Sequence, residues 1–296
     1  MNQPVQISVR KLDSGGPVAL AISEVRGHLD GNDRVLILIH GYDNSFSDAL
    51  GSYNAFLDRL GTNFPTYIGQ VAEFFWPGDF PLRVISVLSY PNQIEPAIES
   101  AQRLSVYLGN LKGARNGPME IDLVGHSLGC RVVLELIALW TGGIPPNIRL
   151  KTVALMAAAV LVRHVEQGGQ LRAAARLSDN TLVLHSEGDP VLHWAFPLGE
   201  TAARESFFPT AVGRFGGPLQ TWKQHFPMAT AAGKTYGHGS YWPGEESSNA
   251  VIAALGGAPP RTVVEKGALE NFPSLVNSIP SRSTPVRVLA EQPAFA

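Results

Sequence analysis

The sequence predicts an α/β protein, with a mainly parallel central sheet and helices on both faces. Three observations carry that prediction. Residues 35–39, Val-Leu-Ile-Leu-Ile, are consecutive aliphatics, as expected of a strand buried on both faces in mid-sheet. Residues 121–124, Ile-Asp-Leu-Val, run into Gly125-His126-Ser127-Leu128-Gly129 and then into the apolar segment Cys130 to Trp140, free of Gly and Pro. That order reads as strand, tight glycine-flanked turn, helix. Along the rest of the chain, strand patterns alternate with helix patterns.

The elements follow in order. Gln6–Arg10 and Val18–Val25 read as opening strands, split by the turn Ser14-Gly15-Gly16-Pro17. Val35–Ile39 is the next strand, and Ser45-Phe46-Ser47-Asp48 is a helix-start signature for a helix running to Leu60. Val71–Trp76 is a strand stopped by Pro77-Gly78. Ala97, Ala101, Leu104, Leu108 and Leu111 fall on one helical face. Ile121–Val124 precedes the glycine-flanked turn. Thr152–Met156 and Thr181–His185 are further buried strands, with a helix around Gln170–Leu177 between them and a late helix over Glu245–Leu255.

A chain of 296 residues is long for one core but usual for a large α/β sheet. Hydrophobic residues make up 45% and charged residues 16%, enough for a sizeable core. Net charge is −2, from 23 basic and 25 acidic side chains, with no basic stripe, so nucleic acid is not an expected partner. The one cysteine, Cys130, has no internal disulfide partner and reads as small core packing. The N-terminus carries no charged-then-apolar signal, and the longest apolar run, Val153 to Val162, is about half a membrane span. The expectation is a soluble, cytoplasmic chain. Residues 1–260 are expected to form one domain, and the Pro- and Ser-rich residues 261–296 a C-terminal arm or extension, in part disordered.

The turn at 125–129 has the form Gly-x-Ser-x-Gly. Between a strand and a helix it is the nucleophile elbow of serine hydrolases. The glycines have a physical task there, because a Cβ at Gly125 or Gly129 would meet neighbouring backbone. The turn lifts the Ser127 hydroxyl to the head of a helix, whose dipole favours developing negative charge. Residues 35–42 read Val-Leu-Ile-Leu-Ile-His-Gly-Tyr and lead into Asp43-Asn44-Ser45. Together these stretches resemble the α/β-hydrolase superfamily over roughly residues 18–255. His40 to Phe46, with Phe74-Phe75-Trp76-Pro77, is similar to a bacterial branch of these hydrolases that has no settled substrate. The resemblance implies an oxyanion hole from the backbone N–H groups of Tyr42 and Leu128. It leaves His40 a structural role, hydrogen-bonded to loop backbone.

A serine hydroxyl needs a base to take its proton. The resemblance implies the chain order serine, acid, histidine. After Ser127 the leading acid is Asp189, in Glu187-Gly188-Asp189-Pro190-Val191, just past a buried strand. Glu187 is its rival, while Asp122 and Asp179 precede their strands at the wrong end of the sheet. His238, between Gly237 and Gly239, leads among the downstream histidines, because flanking glycines let a loop approach closely. His225 competes with it, and His193 lies too near the acid. His126 is read as pointing away from Ser127, either as packing or as a residue that supports the site from behind, and His164 and His185 as surface or strand-end residues. No metal spacing appears, so neither metal nor cofactor is expected.

The function these residues imply is cleavage of carboxylic esters through an acyl-enzyme on Ser127, His238 and Asp189. Acyl transfer or thioester cleavage on the same residues is the alternative, and a non-catalytic binding protein on this scaffold a more distant one. The insert after Met156 has no room for a large cap domain. Residues 190–237 are rich in aromatics, Pro and Gly, and read either as a lid or binding wall or as core packing of an extra helix. Trp76 and Trp194 are the candidate substrate-binding residues, suited to a small-molecule ester with an apolar group.

Overall fold

Among the described residues, eight strands form one sheet in the order β2-β1-β4-β3-β5-β6-β7-β8. They are β1 (Val5–Arg10), β2 (Val18–Arg26), β3 (Arg34–Ile39), β4 (Gln70–Phe75), β5 (Met119–His126), β6 (Ile148–Met156), β7 (Asn180–His185) and β8 (Gln224–Pro227). The computed structural model describes residues 3–11, 16–79, 91–113, 117–203, 207–228, 233 and 235–257. The C-terminal arm expected over 261–296 lies outside the described residues.

Among the strands of the described residues, β2 alone runs antiparallel to its neighbour and the other pairings are parallel. The burial of the strands follows from that order. Strands β3, β4 and β7 are buried at every position but the first; in β3 an unbroken apolar run requires it, while β4 buries Glu73, which accepts from the Gln6 side chain at 2.7 Å. Edge strand β2 alternates loosely into solvent, with Leu20 83% exposed. The class expected from the sequence, an α/β-hydrolase fold with a mainly parallel sheet, is the observed one.

The long helices are α1 (Phe46–Asn63), α2 (Pro91–Asn110) and α3 (Gly129–Ala138). At the start of α1, Ser45 accepts from the Asp48 N–H while the Asp48 carboxylate accepts from the Ser45 N–H, each at 3.2 Å. This reciprocal cap satisfies donors that the first turn would otherwise leave without partners. The inner face of α1 buries Tyr53, Phe56 and Leu60. Tyr53 also ties two strand ends together: its hydroxyl accepts from the His40 N–H at 2.8 Å and donates to the Phe74 carbonyl at 2.7 Å.

Between β6 and β7 there are only two one-turn helices, α4 (Val162–Val165) and α5 (Arg172–Ala175). The expected helix over Gln170–Leu177 is therefore one turn. After β7 come a π-helical turn (Val191–Ala195), α6 (Phe196–Ala202), α7 (Val212–Phe215) and then β8. Strand β8 was not among the strands placed from the sequence. Its sequence, Gln-His-Phe-Pro, is short and exposed, and only pairing with β7 makes it a strand. The last helix among the described residues is α8 (Glu245–Ala254).

Parallel strands end on one edge, so β3, β5 and β7 deliver His40, Ser127 and Asp189 to the same rim. Gly129 makes the junction of β3 and α3 possible: a Cβ there would lie 2.3 Å from the His40 carbonyl oxygen and 2.6 Å from that of Ile39. Backbone cannot yield as a side chain would. Gly129→Ala should therefore cost about 3 kcal/mol or more. Gly51→Ala, inside α1 with nothing within 4 Å of its Cβ position, should instead gain about 0.5–1 kcal/mol from helix propensity. Urea denaturation of both variants checks the contrast; equal midpoints would refute it.

Candidate active site

The site is built outward from the turn between β5 and α3. Ser127 is held at φ +54°, a conformation that costs a non-glycine residue energy. Its neighbours hold it there. The Ser127 N–H donates to the Met156 carbonyl at 2.9 Å, and its own carbonyl accepts from Cys130 at 3.0 Å and Ala159 at 3.1 Å. The side chain is thereby turned out of the strand line.

Ser127 Oγ lies 2.8 Å from His238 Nε2, and His238 Nδ1 lies 2.7 Å from Asp189 Oδ2. A carboxylate only accepts, so Nδ1 carries the proton and Nε2 presents its lone pair to the serine hydroxyl. The other oxygen, Asp189 Oδ1, accepts from the Val191 N–H at 2.9 Å and the Leu192 N–H at 3.1 Å. Asp189 is fully buried, and the His238 side chain keeps 17% exposure. The acid is thus fixed at both oxygens, and the histidine is the most exposed of the three side chains.

The loop after β3 passes directly over the turn. A Cβ at Gly41 would sit 2.8 Å from Ser127 Cβ, so only glycine permits this approach. Next in the chain is Tyr42, and Leu128 follows Ser127 at the head of α3, where N–H groups have no intrahelical acceptor. His40 braces the loop from behind. Its Nδ1 donates to the Gly41 carbonyl at 2.9 Å, its Nε2 accepts from the Trp76 N–H at 3.3 Å, and its ring stacks on Trp76. The Trp76 indole N–H donates to the His40 carbonyl at 2.8 Å. Behind Trp76, Arg10 donates to the Trp76 carbonyl at 2.9 Å and pairs with buried Asp79 at 2.6 Å.

Trp76 is therefore corrected from a pocket wall to an internal brace: it is fully buried and committed to His40. Trp194 is 66% exposed, on the helical segment that starts two residues after Asp189, with its ring against His193. His225 lies in β8 opposite Val183, facing His185 rather than Ser127. His193 donates its backbone N–H to the Asp189 carbonyl. Asp122, expected to precede its strand, lies within β5 and is bonded to Arg34, while Asp179 just precedes β7 and is bonded to Arg149. Glu187 is exposed. His164, expected at the surface, is buried, with Arg131 3.1 Å from its Nδ1. Among the described residues no group of three or more His, Cys, Asp or Glu side chains could hold a metal ion. None of the described helices is long and apolar enough to cross a membrane.

His126 received the least from the sequence and gains the most from the structure. Its Nε2 donates to the His238 carbonyl at 2.8 Å, and the two rings lie 4.9 Å apart. The signal available in the sequence was its place beside Ser127, on the same strand end.

Residues 21–204 match the family model described as alpha/beta hydrolase of unknown function, DUF900. The chain belongs to that family. The matched span takes in Ser127 and Asp189 and ends before His238. Among solved structures, this family member is similar to the product of gene lin2722 from Listeria innocua, at 14% identity over 75% of this chain and 94% of that one, with a TM-score of 0.43. It is similar to Zea mays acyl-protein thioesterase 2, at 15% identity over 78% and 97% of the two chains and a TM-score of 0.41. Carboxyl esterase 2 from the fungus Tuber melanosporum aligns at 15% identity over 79% and 78%, with a TM-score of 0.39. No curated protein matches.

Two buried histidines make stability depend on pH. Burial lowers both His40 and His126 from 6.5 to about 3. For His126 the neighbouring His238 adds to the effect. The folded state holds both rings neutral, while the unfolded chain protonates them below its ordinary histidine pKa. Their contribution is thus complete above about pH 6.5 and is lost as pH falls toward about 3, at up to roughly 1.4 kcal/mol per pH unit for each. Melting temperature should fall between about pH 6 and about pH 4, and His126→Gln should shrink that fall. An unchanged slope in the variant would contradict the assignment.

Proposed function

We propose that this chain hydrolyses carboxylic esters through a Ser127–His238–Asp189 triad. The observation that supports this reading above all is the unbroken pair of hydrogen bonds, 2.8 Å from serine to histidine and 2.7 Å from histidine to aspartate. Few arrangements other than nucleophile activation require a strained serine, a buried carboxylate and a histidine joined in that order.

The chemistry follows from the proton positions. Ser127 Oγ attacks the ester carbonyl carbon as its proton passes to His238 Nε2. Asp189 holds the resulting imidazolium by its Nδ1–H. The carbonyl oxygen becomes an oxyanion, received by the backbone N–H groups of Tyr42 and Leu128. The C–O bond breaks, the leaving alkoxide takes the proton from His238, and Ser127 carries the acyl group. Water then attacks the acyl-enzyme, gives its proton to His238, and releases the acid as Ser127 recovers its hydrogen. These steps involve no group beyond the chain, substrate and water.

An apolar ester is the substrate class the surroundings favour. The helical segment after Asp189 buries Leu192 and Phe196 yet leaves Val191, Trp194 and Leu198 exposed. A helix apolar on both sides offers an apolar surface beside the acid. Trp194 is the residue we assign to that surface.

Ser127→Ala should keep its melting temperature and lower kcat on an aryl ester about 10⁴-fold or more, and a phosphonate should label Ser127 alone. His238→Ala should match it within about an order of magnitude, because triad members act as a unit, while His225→Ala keeps most activity. A folded Ser127→Ala protein with wild-type turnover would end the proposal.

The oxyanion assignment has its own test. Tyr42→Phe leaves the backbone N–H in place and should cost under about tenfold. Tyr42→Pro removes it and should cost about 10²–10³ in kcat, provided the melting temperature is kept. A folded but inactive Tyr42→Phe would transfer the role to the phenol.

A further inference from the structure

We infer that His126 is a positioning residue for His238: its Nε2–H grips the His238 carbonyl and sets where that imidazole stands between Ser127 and Asp189. The inference rests on the triad reading above and extends it to a residue that touches none of the reacting atoms.

The hydrogen bond spans 112 positions of chain at 2.8 Å. A carbonyl oxygen only accepts, so the proton must sit on His126 Nε2, which leaves Nδ1 with the lone pair. His238 opens a short 3₁₀ turn, His238–Ser240, with Gly237 before it and Gly239 within it. Nothing lies within 4 Å of the Cβ position of Gly239. Such a loop has little conformational preference of its own, so a long-range contact has to place it. His126 supplies that contact from the residue next to the nucleophile. Serine and histidine are thereby referenced to one strand end, although 111 positions separate them.

The ring itself has no room to move. It is 6% exposed, with the rings of Tyr241 and Trp242 at 5.9 Å and 6.2 Å. On its other side a Cβ at Gly41 would come within 3.1 Å of Nδ1. His126 therefore fills the gap between the loop proposed to hold the oxyanion and the loop carrying the base. Neutrality matters here as well. A cationic ring 4.9 Å from His238 would oppose the imidazolium the mechanism forms, and burial keeps His126 uncharged across the physiological range.

Two substitutions separate the hydrogen bond from the packing. His126→Gln places an N–H near the position of Nε2, whereas His126→Met has the same length and no donor. With an aryl ester, His126→Met should lower kcat by about 10–100-fold with KM within about threefold, the scale of a displaced catalytic group. His126→Gln should stay within about fivefold of wild type. A readout without turnover is the low-field proton resonance of His238 Nδ1–H. It should persist in wild type, Ser127→Ala and His126→Gln, and broaden or vanish in His126→Met. If Ser127→Ala turns over like wild type, the triad reading fails, and the resonance still reports on the His126 contact. Equal kcat and equal resonance in folded His126→Gln and His126→Met would overturn the inference, as would folded variants that are equally inactive. Should His126→Met not fold, His126→Ala replaces it. Failure of both to fold while His126→Gln folds would make the contact structural and overturn the positioning role.

Discussion

A serine that must occupy positive φ is the constraint from which the rest of this structure can be read. Left alone, Ser127 would relax toward an ordinary extended or helical conformation, and its hydroxyl would swing away from the rim. Three backbone hydrogen bonds, to Met156, Cys130 and Ala159, prevent this. They come from both β6 and α3, so the neighbouring strand and the following helix together maintain the strain. The buried face of α3, with Val132, Val133, Leu136 and Ile137, supplies the packing that keeps that helix in place.

A second set of contacts fixes the loop that passes over Ser127. It runs inward from Gly41 through His40 and Trp76 to Arg10 and Asp79. Each link satisfies a polar group that burial would otherwise penalise. The buried Arg10–Asp79 pair is not a source of stability in itself, because desolvation consumes much of its attraction. Its effect is geometric: it anchors the end of β4, on which Trp76 and hence His40 depend. Loops that carry function are mobile unless anchored, and here the anchoring is polar, directional and buried.

The sequence was readable where its signal was local. Apolar runs marked β3, β5 and β7, glycines marked the turn at Ser127, and the Ser45–Asp48 pair marked the start of α1. Strand β8 was invisible because four exposed residues become a strand only by pairing with β7. Trp76 was misread because an aromatic at a strand end can face a pocket or the core. Only the His40 ring stacked beneath it decides which.

The candidate site divides along the same line. By itself the sequence determined that a strand, a strained serine and a helix succeed one another, and that Asp189 and several histidines lie downstream. Those are properties of short windows, set by steric limits and hydrophobic period. The flanking glycines of His238 favoured it over His225 in the sequence, but only tertiary structure sets which ring meets Ser127: strand pairing holds His225 against β7, and the loop placement of His238 brings its Nε2 to the serine. The grip of His126 on His238 belongs wholly to that second level, since it joins residues 112 positions apart through a donor that no local pattern distinguishes from packing.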